Sequence, residues 1–102
     1  MKNVVTSKAP AAIGPYSQGI DIGNLVFTSG QLPLNMETGE METEIKAATK
    51  ASLSNVKAIL AEAGLTMDNV IKTTVFISDM NNFAAMNEVY STFFGETAPA
   101  RS

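Results

Sequence analysis

The segment from Thr43 to Ala63 constrains the fold most, because its periodicity predicts a long amphipathic helix that needs a surface to cover. Apolar residues recur every 3.6 positions, while lysine and glutamate side chains fall on the opposite side. Gly64 followed by Leu65 is typical of a helix end, where glycine takes a left-handed conformation. The apolar face predicted to point inward consists of Ile45, Ala48, Leu53, Val56, Ile59, Leu60 and Ala63.

Short β-rich segments precede this helix. Gly23-Asn24 separates two of them and predicts a hairpin turn. Prolines and glycines mark the intervening loops, since these residues interrupt regular structure. The predicted strands are 3–7, 18–22 and 25–29, and the predicted loops are 9–17 and 30–42.

A further strand is predicted over Val70–Ser78, where apolar side chains alternate onto both faces. A second helix is predicted over Asn81–Phe94, with Asp79 or Asn81 as its cap and Gly95 as its stop. Two helices can cover only one face of a sheet. The other face therefore needs a partner, which predicts an oligomer.

The second helix has an apolar stripe with one carboxamide inside it. Asn87 lies within this stripe, and a buried amide without hydrogen-bond partners costs about 1–3 kcal/mol. Asn87 is thus expected either to hold a loop backbone or to serve a pocket. The stripe consists of Phe83, Met86, Tyr90, Phe93 and Phe94.

Composition excludes several classes of function. The 102 residues contain no histidine and no cysteine, so a Ser-His-Asp triad, a Cys-His pair and a His- or Cys-ligated zinc are impossible. The net charge of −3 and the absence of a basic stripe make nucleic-acid binding an unlikely role. No apolar run is long enough for a membrane span, and a chain without cysteine fits a reducing compartment. We expect a cytoplasmic protein without membrane association.

The chain has one arginine, Arg101, next to its last residue. A guanidinium is charged at any working pH and fits a carboxylate with two hydrogen bonds. Arg101 is therefore the best candidate to bind a small anion. The alternative is a solvated arginine with no function, because most exposed charges contribute little.

Several segments together resemble one known family. In chain order they match the reactive-intermediate deaminases, the RidA/YjgF family, and the match spans the whole chain. The segments are Ala9-Pro10, Gly14-Pro15-Tyr16-Ser17-Gln18, Thr28-Ser29-Gly30-Gln31, Asn55-Val56, Ala63-Gly64-Leu65, Val70–Phe76, Asp79-Met80, Met86–Tyr90 and Pro99-Ala100-Arg101-Ser102.

This resemblance implies an α+β fold of the chorismate mutase-like (ferredoxin-like) type, a mixed β-sheet with two helices on one face. It also implies a homotrimer with clefts between subunits. The implied activity is hydrolysis of 2-imino acids and their enamine tautomers, such as 2-iminobutanoate and 2-iminopropanoate, to 2-oxo acids and ammonia. The implied partner is a small imino or oxo acid, and no cofactor or metal is expected.

The resemblance also implies roles for five residues. Arg101 would bind the substrate carboxylate, and Tyr16, placed by the turn at Gly14-Pro15, would line the cleft; these two are the implied catalytic residues. Ser29 and Gly30 would offer hydroxyl and backbone hydrogen bonds, and Asn87 would support the site. The structural alternatives are a packed loop tyrosine for Tyr16, a strand end for Ser29 and Gly30, and a tie to a loop backbone for Asn87.

Members of the family continue beyond Pro99-Ala100-Arg101-Ser102 through two strands, the last of which carries a glutamate that positions water. By this resemblance the chain is one domain over residues 1–102 that lacks its final two strands, with little activity and poor assembly expected. The carboxylates present match no catalytic position of the family.

Two other functions are compatible with these residues. One is a non-catalytic regulatory trimer that binds a small carboxylate with the same arginine. The other is a translation inhibitor of the ribonuclease type, an activity also attributed to members of the family. The acidic balance, with a pI near 4.7, disfavours the ribonuclease.

Overall fold

The computed structural model describes residues 1–102 and begins with a three-stranded antiparallel sheet. Its strands are β1 (Lys2–Val4), β2 (Gly19–Asp21) and β3 (Val26–Thr28), in the order β1-β2-β3. The amide of Ile22 donates to the carbonyl of Leu25 at 2.9 Å, which closes the hairpin predicted at Gly23-Asn24. The strands on either side of this turn, β2 and β3, are thus confirmed, although they are shorter than the predicted spans of 18–22 and 25–29.

The first strand lies earlier than the predicted span of 3–7. Val4 is its last residue, and it pairs with Gly19. The chain then leaves the sheet because the amide of Thr6 donates to the side-chain oxygen of Gln18 at 2.7 Å. A side chain therefore replaces the backbone partner that a longer strand would need.

The sheet and the first helix approach most closely at Gly19. A β-carbon on Gly19 would lie 2.9 Å from Cγ2 of Ile59 and 3.3 Å from Cβ of Val4. Both neighbours are buried, and with Ala9 they form one cluster of the hydrophobic core. Only glycine allows the helix to pack at this distance, because real β-carbon contacts are longer.

Helix α1 (Ile45–Glu62) confirms the predicted amphipathic helix to within two residues at its start and one at its end. The carboxylate of Glu44 caps it by accepting from the amides of Lys46 and Ala47, at 3.0 and 2.9 Å. Gly64 has a φ of +80°, and the Leu65 amide donates to Leu60 at 2.8 Å, as expected for this helix end. All seven residues predicted to face inward are buried or half-buried.

Helix α2 (Phe83–Ser91) is shorter than the predicted 81–94. A 3₁₀ turn over Met80–Asn82 precedes it, and Asp79 caps that turn by accepting from Asn81 at 2.9 Å. Gly95 does not end the helix. It ends earlier because the Thr92 hydroxyl and the amide of Thr92 both donate to the carbonyl of Val89.

The last two strands are parallel: β4 (Lys72–Thr73) pairs with β5 (Ala100–Arg101). Further backbone bonds link Val75 and Ser102, so the paired stretch is about half of the strand predicted over Val70–Ser78. The prediction was too long because a strand is defined by a neighbour, and residues 76–78 have none here. The segment that carries Arg101 thus pairs as a strand, although no strand was predicted at Ala100–Arg101.

Together these elements form an α+β fold with two helices and strand pairs of both senses, as predicted. The strands hydrogen-bond as two groups, β1-β2-β3 and β4-β5. Helix α1 packs against β3 and against α2. No helix of this structure is long and apolar enough to cross a membrane.

The protomer leaves much apolar surface uncovered. Only 11 of the 102 residues are buried, whereas Ile13 and Phe76 are each 93% exposed. Along the segment predicted to be apolar on both faces, Thr73, Val75 and Ile77 are half-buried, but Phe76 on the opposite face is open. From Thr73 to Ile77 the protomer therefore covers one face of this segment and leaves the other open, whereas Ile71, on the covered face, is 70% exposed.

Candidate functional site

Helix α2 presents three side chains to Arg101. Phe83, Asn87 and Tyr90 are spaced i, i+4 and i+7, so they lie on one face of the helix. Nη1 of Arg101 donates to Oδ1 of Asn87 at 2.7 Å. The guanidinium carbon lies 4.7 Å from the Tyr90 ring centroid and 5.5 Å from that of Phe83. We call these four residues the arginine cluster.

The charge of Arg101 is not neutralised within the chain. The only ion pair joins Nζ of Lys46 to a carboxylate oxygen of Glu88 at 2.9 Å. Arg101 makes one side-chain hydrogen bond, through Nη1, so its Nε and Nη2 groups have no protein acceptor. An exposed guanidinium whose face and one nitrogen are held by the protein can bind an anion through the remaining donors.

Tyr90 links this cluster to the sheet. Its hydroxyl lies 2.7 Å from Oγ1 of Thr73, and either oxygen can be the donor. Thr73 is the residue that stands opposite Arg101 in the β4-β5 register. This hydrogen bond connects α2 to β4, the neighbour of the strand that carries Arg101.

Tyr16 lies in the predicted loop and is 52% exposed. Its amide donates to the carbonyl of Gly14 at 2.8 Å, a tight turn at the predicted Gly14-Pro15 step. Its hydroxyl accepts from the amide of Ile13 at the long distance of 3.5 Å. The phenol is therefore weakly held and accessible.

Ser29 and Gly30 follow β3 directly. The Ser29 hydroxyl donates to the carbonyl of Ser17 at 2.6 Å, so its hydrogen is used within the chain while its oxygen can still accept. Gly30 is exposed, with no atom within 4 Å of the position where a β-carbon would lie. The Ser29 amide donates to the Gln18 carbonyl at 2.9 Å, and the carbonyls of Ser29 and Gly30 accept from the Gln31 side chain. The Gly30 amide is the backbone donor left without a partner at this strand end.

The five predicted site residues fall into two groups in the chain. Arg101 and Asn87 are in direct contact. Tyr16, Ser29 and Gly30 form the second group. The turn Gly14–Ser17 lies beside the end of β3, where the Ser29 hydroxyl bonds to Ser17. We call this turn, together with Ser29 and Gly30, the tyrosine loop. No hydrogen bond joins the tyrosine loop to the arginine cluster.

Two important residues were missed by sequence reasoning. Gln18, only 3% exposed, accepts from Thr6 and donates to the carbonyls of Thr6, Ala9 and Pro10 at 3.0, 3.2 and 2.8 Å. It holds the start of the loop that carries Tyr16. Tyr90 was assigned only to the apolar stripe, although its i+7 and i+3 spacing from Phe83 and Asn87 could have placed it beside them.

The carboxylates of the chain serve local structure. Asp21, Glu44 and Asp79 accept backbone amides at turns and helix starts, and Glu88 pairs with Lys46. None of them hydrogen-bonds to a predicted site residue. The two backbone amides at Glu44 lower the pKa of its carboxyl, and the hydrogen bond to Glu88 raises the pKa of Lys46. No group of acidic residues could hold a metal ion.

Comparisons with known proteins agree on one family. The family model described as endoribonuclease L-PSP matches residues 6–102. The chain is 52% identical over 104 residues to a 2-iminobutanoate/2-iminopropanoate deaminase of Escherichia coli, covering 99% of this chain and 81% of that protein. It is 56% identical over 101 residues to a RutC family protein of Haemophilus influenzae, covering 95% and 78%, respectively. The crystal structure of E. coli TdcF with bound serine superposes with a TM-score of 0.95 at 51% identity, covering 100% of this chain and 83% of that one.

Proposed function

Because this chain belongs to the endoribonuclease L-PSP family, which includes the RidA/YjgF deaminases, we propose that it acts on reactive 2-imino acids. The substrates proposed are 2-iminobutanoate and 2-iminopropanoate, or their enamine tautomers, and the products are the 2-oxo acids and ammonia. The name of the E. coli relative, which shares half of its sequence with this chain, supports the substrate class.

One observation carries the proposal: Arg101 is held on its face by Tyr90 and at Nη1 by Asn87, yet has no carboxylate partner. A buried or paired arginine would serve the fold. An arginine that is held but unpaired is suited to an anion supplied from outside. In the proposed complex the Nε and Nη2 groups donate to the two oxygens of the substrate carboxylate.

The proposed reaction is a hydrolysis. The oxygen of water adds to C2 of the protonated imine, and a proton passes from that oxygen to nitrogen. The C2–N bond then breaks to release ammonia, and the remaining hydroxyl loses its proton to solvent to leave a C2=O group. Arg101 fixes the carboxylate next to C2, so that C2 faces the attacking water in one orientation. The hydroxyls of Tyr16 and Ser29 and the amide of Gly30 are the proposed contacts to the rest of the substrate.

We extend the proposal to a homotrimer with clefts between subunits. Within one chain the tyrosine loop and the arginine cluster share no hydrogen bond, so a cleft that uses both could be formed by two copies. The open apolar side chains, such as Phe76, supply surface for such contacts. Sedimentation velocity tests this part: a trimer would support it and overturn the poor assembly expected from the resemblance, and a monomer at micromolar concentration would contradict it.

The activity is tested by generating 2-iminobutanoate in situ with a threonine dehydratase and following its loss. Acceleration of the loss by added protein would support the proposal and overturn the low activity expected from the resemblance, and Arg101→Ala is expected to remove that acceleration. Arg101→Lys should retain part of it, because lysine keeps the charge but loses the planar fork. Lys2→Ala is the matched control, since it removes an unpaired positive charge from β1. Equal rates for Arg101→Ala and the native protein would refute the proposal.

A second candidate is a regulatory protein that binds a small carboxylate without converting it. The crystal structure of the relative TdcF contains bound serine, a small amino acid with a carboxylate. This observation favours a role in which a small carboxylate is bound. Saturable binding of 2-oxobutanoate without acceleration of imine loss would select it. Degradation of single-stranded RNA would instead select the activity in the family description, which the net charge of −3 disfavours.

A further inference from the structure

We propose that Tyr90 is the positioning residue for Arg101: it supports the guanidinium and fixes the helix that carries Asn87 against the strand pair that carries Arg101. The inference deepens the proposed function and rests on Arg101 as the carboxylate-binding group. It concerns how this group is held ready before a ligand arrives.

The side chains of Arg101 and Tyr90 are in contact. The guanidinium carbon of Arg101 lies 4.7 Å from the centroid of the Tyr90 ring, within the range of a cation–π interaction. Phe83 lies farther away, at 5.5 Å, and is partly exposed. Tyr90 is buried and packs against Phe94 on another side, with ring centroids 4.7 Å apart. Of the two aromatic neighbours of Arg101, Tyr90 is thus the closer and the more firmly held.

Arg101, Thr73 and Tyr90 contact one another in a ring. Arg101 pairs with Thr73 through the β4-β5 register, and Thr73 hydrogen-bonds to the Tyr90 hydroxyl at 2.7 Å. The Tyr90 ring in turn lies under the Arg101 guanidinium. Tyr90 is therefore linked to the backbone of Arg101 through Thr73 and contacts its guanidinium directly.

Holding the Arg101 side chain in advance should strengthen ligand binding. A free arginine side chain has several rotatable bonds, and fixing them on binding costs conformational entropy. A ring that holds the guanidinium in advance reduces that cost, which improves affinity without adding a contact to the ligand. Removing the ring should therefore weaken carboxylate binding although Tyr90 need not touch the ligand.

A direct readout exists because Arg101 is the only arginine, so its Nε–Hε pair gives a single assignable signal in a ¹⁵N–¹H spectrum. Tyr90→Leu keeps an apolar side chain but removes the ring. We expect the Arg101 signal to lose its ring-current shift and to show increased mobility in ¹⁵N relaxation. Tyr90→Phe keeps the ring and should retain the shift. Phe83→Leu is the matched control and should change the signal less.

The second measurement is the dissociation constant of 2-oxobutanoate, the proposed product, by titration calorimetry. Tyr90→Leu is expected to weaken binding about fivefold, the factor that corresponds to a cation–π contact of typical strength. Tyr90→Phe and Thr73→Val each break the hydroxyl link and should weaken it about twofold, with no further loss in the double variant. An unchanged dissociation constant and an unchanged Arg101 signal in folded Tyr90→Leu would overturn the inference.

Thr73→Val keeps the inference falsifiable if Tyr90→Leu does not fold, because valine has nearly the shape of threonine. A dissociation constant unaffected by Thr73→Val would then overturn it. The outcomes also separate the two proposals. If the native protein does not bind 2-oxobutanoate, the carboxylate role of Arg101 fails. The spectrum of Tyr90→Leu still decides whether Tyr90 positions the arginine.

Discussion

Gln18 and Arg101 are both polar side chains that join distant parts of the chain, but they do so in opposite ways. Gln18 is almost fully buried, and both ends of its amide are bonded to backbone groups of the loop after β1. Arg101 is exposed and donates a single hydrogen bond, to Asn87. One side chain has its hydrogen-bonding capacity used inside the protein, and the other has most of it left over.

This difference separates a residue that serves the fold from one that can serve a ligand. A buried amide must be satisfied internally, because an unpaired polar group in the interior costs free energy. A functional cation must be held in place yet keep donors free. Arg101 meets both conditions through Tyr90 and Asn87. Substitutions at the two sites should therefore affect different quantities, stability for Gln18 and binding for Arg101.

The largest expected effect on stability comes from Gln18→Met, which keeps the length of the side chain and removes its hydrogen bonds. We expect a loss of about 3 kcal/mol in the free energy of unfolding, because several backbone groups of the loop lose their partner. Urea denaturation measures it. Gln31→Met is the matched control: Gln31 makes only two long bonds, at 3.2 and 3.3 Å, and should lose little. Equal losses in the two variants would show that the hydrogen bonds of Gln18 stabilise the fold no more than those of Gln31.

Asn55→Leu should have the next largest effect. The Asn55 amide is 2% exposed and donates to the carbonyls of Leu32 and Leu34, at 3.3 and 3.0 Å. Leucine has a similar shape but cannot hold this loop, so we expect a loss of about 2 kcal/mol. Hydrogen exchange should increase within residues 30–42. Ser54→Ala, its exposed neighbour on α1, is the control. An Asn55→Leu variant as stable as the native protein would contradict the assignment.

Arg101→Ala should have a smaller effect on stability. It removes an exposed hydrogen bond and a contact with the Tyr90 ring, which together contribute about 1 kcal/mol or less. The same denaturation experiment measures the loss. A loss as large as that of Gln18→Met would assign Arg101 to the fold and would remove the contrast between the two residues.

The smallest expected effect concerns Glu44 and depends on pH. Two backbone amides lower the pKa of its carboxyl below the usual value of 4.5, so the ionised form stabilises α1. This contribution is present above pH 4.5 and is lost as the pH falls through the lowered pKa. Glu44→Ala should therefore lower the melting temperature at pH 7, and the difference from the native protein should shrink toward pH 3. A difference that does not change with pH would contradict the cap.

Much of the fold could be predicted because its signals are local. The periodicity over Thr43–Ala63 identified α1, and Gly23-Asn24 identified the hairpin. The position of Asn87 within an apolar stripe already indicated that it needs a partner, and the structure supplies Arg101. The length of β4 could not be predicted, since the extent of a strand depends on the neighbour with which it pairs.

The candidate site was only partly predictable for the same reason. Arg101 was named because it is the single arginine and Tyr16 through a resemblance, but their mutual placement depends on contacts between distant segments. Gln18 and Tyr90 were missed because each acts through residues far away in the sequence: Gln18 holds Thr6 and Ala9, and Tyr90 contacts Thr73. No pattern of spacing along one segment reports such contacts.

The central claim is that Arg101 recognises a carboxylate, and the most direct test compares two ligands that differ only in that group. Calorimetry gives the dissociation constants of 2-oxobutanoate and of its neutral amide, 2-oxobutanamide, for the native protein and for Arg101→Ala. The native protein should bind the acid roughly 100-fold more tightly, as expected for two charge-assisted hydrogen bonds. Arg101→Ala should reduce this preference to a few-fold. A preference for the acid that is undiminished in Arg101→Ala would contradict the account.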